Sequence, residues 1–534
     1  MGKLLAGLRD AFATWRGRPV PPSPPPTDPD PPEGDATEAA AESAVAAPPP
    51  RVAKQAVILV HGMGEQIPMD TIKGFVHTAW ETDRVITANG MPNPAKVWSK
   101  PDDRTGSLEL RRITTRESIA SPAFPAGTRT DFYELYWADL TAGSTWDQFT
   151  GWVRYLLFRP WSRVPRDVRG AWLVLLAGSI LVVALGCLNF VPDSWWKAHM
   201  PAWLPQKLAT GLAAAAIAWL GYVSTRTFGR VVRYTRADPD NIAARAAVRA
   251  RGLALLRTLH ADATYQRVVL VSHSLGTILA YDLLSYFWAE QVAARTVEEG
   301  TPAFDALCAV EKAAASLQMS YGTAERADYD RAQRALRQCL VARGAAGEPG
   351  RRWLISDFVT LGSPLTHAEF LLAKSAEDLV ARHEARELPV SPPYREELDP
   401  AVLKAAAATG KLPVAPSPDK PRLISFPDVI GSGRWVLHHA APFAAVRWTN
   451  MFDPARWVAL GDVISGPLSE TFGRAITDVN LAQVDRPSRR FTHTRYWAPD
   501  QPAARIAAFR AAINLLDAEA PLAGTSFDAA DPVP

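Results

Sequence analysis

The sequence predicts an α/β fold, a mostly parallel sheet covered by helices on both faces. Three observations carry this. Short uncharged runs rich in β-branched residues, such as "AVILV" at 56–60 and "VVLV" at 268–271, suit strands buried on both faces. Segments with helical spacing alternate with them along the chain. The runs close in small residues, at "HGMG", "SHSLG" and "GSPL", as sheets of this class gather their functional groups in the loops after the strand C-termini. The composition agrees: 534 residues, 48% apolar and 21% charged, leave room for several domains. A net charge of +3 gives no argument for nucleic acid as a partner. Cys187, Cys308 and Cys339 are far apart and show no metal-ligand spacing, so neither a disulfide framework nor a zinc site is expected, and a reducing compartment fits.

Residues 1–16 have the spacing of a short amphipathic helix, without the long apolar stretch of a secretory signal. Ala6 stands where a myristoylation signal after Met-Gly would have Ser or Thr. The Pro-, Ala- and acid-rich remainder of 1–50 cannot bury a core and reads as a tether. Order begins at "QAVILVHGMGEQ", a strand and turn, followed by the helical "TIKGFVHTAWETD" and the strand "TDFYELYWADL"; these form a first sheet segment over 51–165.

Residues 166–236 read as an inserted two-helix transmembrane hairpin. Ala171–Val191 and Leu208–Thr225 carry no charge, and the first run meets the ~20 residues a spanning helix needs. Trp195, Trp196 and Trp203 lie between them, as at a membrane interface. Five arginines (154, 159, 163, 166, 169) precede the pair and four (226, 230, 233, 236) follow it, against two lysines in the loop. By the positive-inside rule both flanks are cytoplasmic, with the loop outside. A helical hairpin buried in a soluble core is the alternative.

Residues 237–290 hold the basic helix "PDNIAARAAVRARGLALLRTLHAD", the strand "RVVLV" and an apolar helix. Residues 291–350, rich in Ala and charge, suggest a helical cap. The stretch 351–517 returns to the sheet with "WLISDFVTLGSPL" and "AAVRWTNMF", and closes on the helix "PAARIAAFRAAINLLDA"; 518–534 read as a frayed tail.

A serine becomes a nucleophile when a base takes its proton and the backbone presents it at reacting distance. A sharp strand-to-helix turn does this, and it needs small residues two before and two after the serine. Ser274 meets the rule with Ser272 and Gly276; Ser272 does not, because Leu270 stands two before it. Chain order for such a turn runs Ser, acid, His. Of the histidines after Ser274, His493 alone lies beyond the last expected strand and before the closing helix, so "FTHTRYW" supplies the base. His438-His439 read as structural, and His367, close after "GSPLT", as pocket-lining. Asp462, in a loop of small residues, is preferred as the acid; Asp453, which Pro454 explains as a turn, is the alternative. Oxyanion donors are expected from the N–H of Leu275 and of Met63, with Gly62 and Gly64 allowing close approach after His61.

Together "VILVHGMGEQ", "VSHSLGT", "VTLGSPLTH", "GDVISGPL" and "FTHTRYW" resemble the α/β-hydrolase superfamily. Within it they are similar to lipase- and esterase-like bacterial members, and distantly to the GPI inositol-deacylase type. The resemblance covers 52–150 and 240–517, with Ser272 where the usual motif has Gly. It implies cofactor-free ester or thioester hydrolysis, with His61, Gly62 and Met63 in the oxyanion loop and Asp462 and His493 completing the site. The expectation is a serine hydrolase of the bacterial inner membrane with its catalytic part in the cytoplasm, acting on a lipid or other acyl ester. A catalytically silent scaffold, or a thioesterase, peptidase or acyltransferase on the same residues, are the alternatives.

Overall fold

The computed structural model of the chain describes residues 52–62, 67–107, 109–141, 160–161, 164, 169–187, 191–199, 208, 211, 214–215, 239–320, 322–342, 352–402, 404, 422–456 and 460–519. The expected helix and tether of 1–50 lie outside these residues, as does the tail from 520.

In chain order, strand β1 (Ala53–Val60) leads to helix α1 (Asp70–Val76), then to β2 (Val97–Lys100), β3 (Arg112–Glu117) and β4 (Thr128–Leu135). Helices α2 (Arg169–Cys187) and α3 (Pro239–Ala261) precede β5 (Tyr265–His273), which runs into α4 (Gly276–Glu290). Next come β6 (Thr296–Glu298), α5 (Pro302–Met319), α6 (Thr323–Ala342) and β7 (Ile355–Leu361). The short strands β8 (Glu396–Glu397), β9 (Arg422–Leu423), β10 (Ser425–Pro427) and β11 (Arg434–Leu437) precede β12 (Arg447–Phe452), β13 (Thr477–Asn480) and helix α7 (Ala503–Ile513).

Eight strands form the main sheet in the order β13-β12-β7-β5-β1-β4-β3-β2. The six from β13 to β4 are parallel, while β3 and β2 close one edge antiparallel. From β1 the chain goes first to β4 on one side, then to β5 on the other. Sheets of this class bind ligands beyond the C-terminal strand ends at such a reversal, here the ends of β1 and β5. Val60 is in register with Ser272, so the two strands finish level.

Alternation along the central strands feeds two cores. Ile58, Val60, Val268 and Leu270 pack with Leu279, Leu283 and Phe287 of α4. Val57, Leu59, Val269 and Val271 face the other way, against Ile72 and Phe75 of α1 and Phe509 and Ile513 of α7. Each side chain of this size, fully buried, contributes about 1.5–3 kcal/mol. This double burial is why β1 and β5 read as uncharged runs.

At the opposite end, the strand starts are pinned by charge. Arg267 donates to Ser356 Oγ at 2.6 Å, to Gln55 Oε1 at 2.9 Å and to the Asn514 carbonyl at 2.8 Å, and pairs with Asp357. Arg447 binds the other Asp357 oxygen. Burial alone would raise the pKa of Asp357, but the two guanidinium groups prevail and hold it well below the usual carboxylate range.

The structure departs from expectation in three places. No strand is legible in the sequence at β2, β3 or β13. The 291–350 segment, expected as a cap, contributes α5 and α6 to the helical layer on one sheet face. There Tyr329 and Gln333 donate to the Phe443 carbonyl at 2.7 and 2.6 Å, and Arg337 pairs with Asp517 at 2.7 Å. These contacts tie the two helices to the body of the sheet. The expected transmembrane hairpin is not found: among the described residues no helix is long and apolar enough to cross a membrane. The first uncharged run is described as helix α2 over Arg169–Cys187, and residues 188–190 lie outside the described residues. Most of the second run lies outside the described residues.

Two buried histidines are locked neutral. His260 donates from Nδ1 to the Leu256 carbonyl (2.8 Å) and accepts the Leu354 N–H at Nε2 (3.1 Å). His438 donates from Nε2 to the Tyr394 carbonyl (2.8 Å) and accepts the Ala440 N–H at Nδ1 (3.1 Å). Burial pushes their pKa values down to about 4 and about 3. The unfolded chain, with histidines near pKa ~6.5, therefore takes up protons first on acidification. Stability is whole above about pH 6.5 and falls towards pH 4, by about 1.4 kcal/mol per pH unit for each of these histidines. Urea unfolding at pH 7 and pH 5 checks this: the midpoint should drop, and an unchanged midpoint would mean that the rings take up protons within the fold.

Candidate active site

The site begins where β5 ends. Ser274 has φ 54°, the left-handed region that a non-glycine residue avoids. Its N–H donates to the Leu361 carbonyl at 3.0 Å. Its own carbonyl accepts the Thr277 N–H at 2.9 Å and the Thr277 hydroxyl at 2.7 Å. The Ser363 hydroxyl in turn lies 2.8 Å from Thr277 Oγ1 and donates to it, because the single Thr277 proton is committed. Ser272 is fully buried and donates to the Val359 carbonyl at 3.0 Å, so its hydroxyl is occupied in the sheet.

Two glycines make the turn possible by close approach. A Cβ on Gly276 would lie 2.3 Å from the His61 carbonyl oxygen, and one on Gly62 would lie 2.8 Å from Ser274 Cβ. The first lets α4 press against the end of β1, and the second lets the loop after β1 cross directly beside the serine. His61 anchors that loop. It accepts the Trp137 N–H at Nε2 (3.2 Å), donates from Nδ1 to the Gly62 carbonyl (2.7 Å) and stacks on the Trp137 ring. Met63 and Gly64 lie outside the described residues. Leu275 is the residue from which α4 starts, where backbone N–H groups have no intrahelical acceptor.

His493 meets the serine. Its Nε2 lies 2.7 Å from Ser274 Oγ, and its Nδ1 lies 3.0 Å from each Asp462 oxygen. Burial would raise the Asp462 pKa, but the His493 hydrogen bond, its charge, Tyr496 and the Ile464 N–H together lower it. An ionised Asp462 accepts the Nδ1 proton, which leaves Nε2 to accept the serine hydroxyl. All three groups are nearly or fully removed from solvent: Ser274 is 3% exposed, His493 6% and Asp462 0%. Low dielectric strengthens the chain of hydrogen bonds they form.

The loop carrying the acid folds back on itself through an isolated parallel bridge of Pro454 with Asp462, and a second such bridge, Gly461 with Phe491, joins it to the loop carrying the base. The Asp462 N–H donates to the Asp453 carbonyl at 2.9 Å, and the Thr492 N–H to the Gly461 carbonyl at 3.1 Å. The Asp453 side chain is taken up elsewhere: it pairs with Arg505 at 2.9 Å and accepts the Ser488 hydroxyl. The structure thus brings Asp462 to the base and gives Asp453 a backbone role beneath it.

Two residues that sequence reasoning gave no role hold this arrangement. Tyr496 donates to Asp462 Oδ2 at 2.7 Å and accepts from the Ser465 hydroxyl at 3.0 Å. His273, the neighbour of the serine, places Nε2 2.6 Å from the His493 carbonyl. The spacing His-x-x-Tyr was visible, but not what the tyrosine reaches. His367 sits on the short turn Pro364–His367 after β7, half-buried. His439 has Nε2 3.2 Å from the Arg386 carbonyl, apart from the engagements of His438. Among the described residues no cluster of His, Cys, Asp and Glu gathers as a metal site.

Chemically, the arrangement is a hydroxyl bonded to an imidazole whose far side faces a carboxylate, at the C-terminal end of a parallel sheet. Such a base can take the hydroxyl proton as the oxygen attacks. No family model, curated protein or solved structure matches the chain.

The two aspartates should separate on mutation. Asp453→Asn strips the charge facing buried Arg505 and should cost about 3–5 kcal/mol of stability while leaving Ser274 reactive. Asp462→Asn should unfold near the wild-type temperature but slow Ser274 modification by a fluorophosphonate by on the order of 10⁴-fold, through the wrong imidazole tautomer. Thermal unfolding and labelling rates on both variants decide it, and the reverse pattern would move the acid to Asp453.

Proposed function

We propose that this chain is a serine hydrolase of the α/β-hydrolase type that cleaves an acyl ester, lipid or otherwise, through an acyl-enzyme. The observation that carries the reading is Ser274 at φ 54°, its Oγ 2.7 Å from His493 Nε2, with Asp462 on the far ring nitrogen. Strained backbone at a nucleophile, an aligned base and a buried acid are independent features, and a turn of purely structural use needs none of them. The order of parts supports it too, since serine, acid and base follow β5, β12 and β13 in turn.

In this mechanism the Ser274 oxygen attacks the ester carbonyl as His493 Nε2 takes its proton. Asp462 stabilises the imidazolium and keeps Nδ1 protonated. The oxyanion lies against the N–H of Leu275 at the start of α4, with Met63 proposed as the second donor. His493 then protonates the leaving alcohol, water repeats the cycle on the acyl-enzyme, and the acid is released.

We further propose that the enzyme sits at the inner face of a bacterial inner membrane, with the uncharged runs 171–191 and 208–225 of the sequence as its contact to the bilayer; most of the second run lies outside the described residues. The arginine-rich flanks support this, as do Leu173, Ile180 and Leu181, exposed on α2 at 47%, 59% and 58%. Lipid or another acyl ester at the bilayer surface is the substrate class this location favours.

Full-length protein in detergent should react with a fluorophosphonate at Ser274, mapped by peptide mass spectrometry. Ser274→Ala should abolish the adduct and lower ester hydrolysis by on the order of 10⁶-fold if the three residues act as a unit. An adduct on another residue would overturn the assignment. In washed membranes the chain should resist alkaline carbonate, and a variant lacking 166–236 should be released; release of the full chain would remove the anchor.

A further inference from the structure

We infer that His273 is a positioning residue, which ties the nucleophile turn to the backbone of the base. The inference rests on the serine-hydrolase reading above. In the sequence His273 is only the residue beside the nucleophile. In the fold, the left-handed turn at Ser274 sends neighbouring side chains to different sides, and His273 reaches a segment 220 residues away.

His273 Nε2 lies 2.6 Å from the His493 carbonyl. A carbonyl only accepts, so Nε2 carries the proton and Nδ1 has none. That Nδ1 faces Gly62: a Cβ there would come within 3.2 Å of it. The Trp497 ring packs edge-on against the His273 ring at 5.1 Å, with the Tyr496 ring at 6.0 Å. His273 is 8% exposed, and burial keeps it neutral down to about pH 3, so it remains this donor throughout any assay range.

This contact matters because His493 sits outside any long element. Helix α7 starts ten residues later, and the loop meets the acid's loop through one short bridge, Phe491 with Gly461, and a few backbone bonds. Asp462 fixes one ring nitrogen, which still allows the base to swing about that bond. A hydrogen bond from the residue preceding the nucleophile to the base's own carbonyl fixes the second point. The serine and the imidazole are thereby referenced to each other through two bonds, one from Ser274 Oγ to Nε2 and one from His273 to the His493 backbone. The same ring also abuts Gly62, so nucleophile turn, oxyanion loop and base share one side chain.

The test compares fluorophosphonate labelling of wild type, His273→Gln, His273→Leu and His273→Ala in the full-length protein, with maximal rate and probe affinity separated. Glutamine sets an amide N–H near the position of Nε2, whereas leucine keeps apolar bulk against Trp497 and removes the donor. If His273 positions the base, Gln stays within about threefold of wild type, while Leu and Ala lose on the order of 10²-fold in maximal rate at unchanged probe affinity. Should Ala fail to fold, the Gln and Leu pair carries the comparison. Labelling of Leu at least as fast as that of Gln makes His273 a packing residue and overturns the inference, while Ser274 labelling in wild type leaves the hydrolase reading standing. Absence of any Ser274 adduct in wild type removes both.

Discussion

One residue held in an unfavourable backbone conformation organises this end of the molecule. A left-handed conformation costs a side-chain-bearing residue on the order of 1–3 kcal/mol, and Ser274 adopts it between a strand locked on both sides and a helix that starts immediately after it. The surroundings over-determine the turn. β1 and β7 hold β5 in register, Thr277 binds the Ser274 carbonyl twice, and Gly276 and Gly62 leave out the methyl groups that would push the pieces apart. Small residues at these positions are required by distance.

The same logic of enforced proximity separates Asp453 from Asp462. Both are buried carboxylates on one loop, nine positions apart, and their surroundings divide the labour. Arg505 and Ser488 satisfy Asp453, whose backbone then supports Asp462; His493 and Tyr496 surround Asp462. A carboxylate already paired with a guanidinium has little left for an imidazole. An unpaired one, desolvated and hydrogen-bonded by a tyrosine, can hold a ring in a single tautomer.

The parts of the fold legible in the sequence are those buried on both faces. β1 and β5 announce themselves as apolar runs because either face of each meets a core, while β7 and β12 keep core residues such as Phe358, Val359, Trp448 and Met451 between polar ones. β2 and β3 lie at the edge, half in solvent, and Lys100, Arg112, Arg116 and Glu117 break any such signal. β13 is four residues long, and Asp478 within it serves the backbone N–H groups of Leu468 and Ser469. In the site, the choice of Ser274 over Ser272 and of His493 among later histidines follows from steric and order rules that operate locally. The contacts of His273 and Tyr496 leave no periodic trace, because they join loops that meet only after the sheet has formed.

The charged cluster around Arg267 and Asp357 has a consequence for how such a chain changes over generations. It lies at the starts of the strands, while the reactive groups lie at their ends, a full strand length away. Substitutions in the loops after β1, β7 and β12 can alter the surroundings of Ser274 without disturbing the ionic clasp at the strand starts. Selection can therefore act on the site and on robustness as two nearly separate traits. The nucleophile turn is where they meet, because β5 begins in the clasp at Arg267 and ends at the serine.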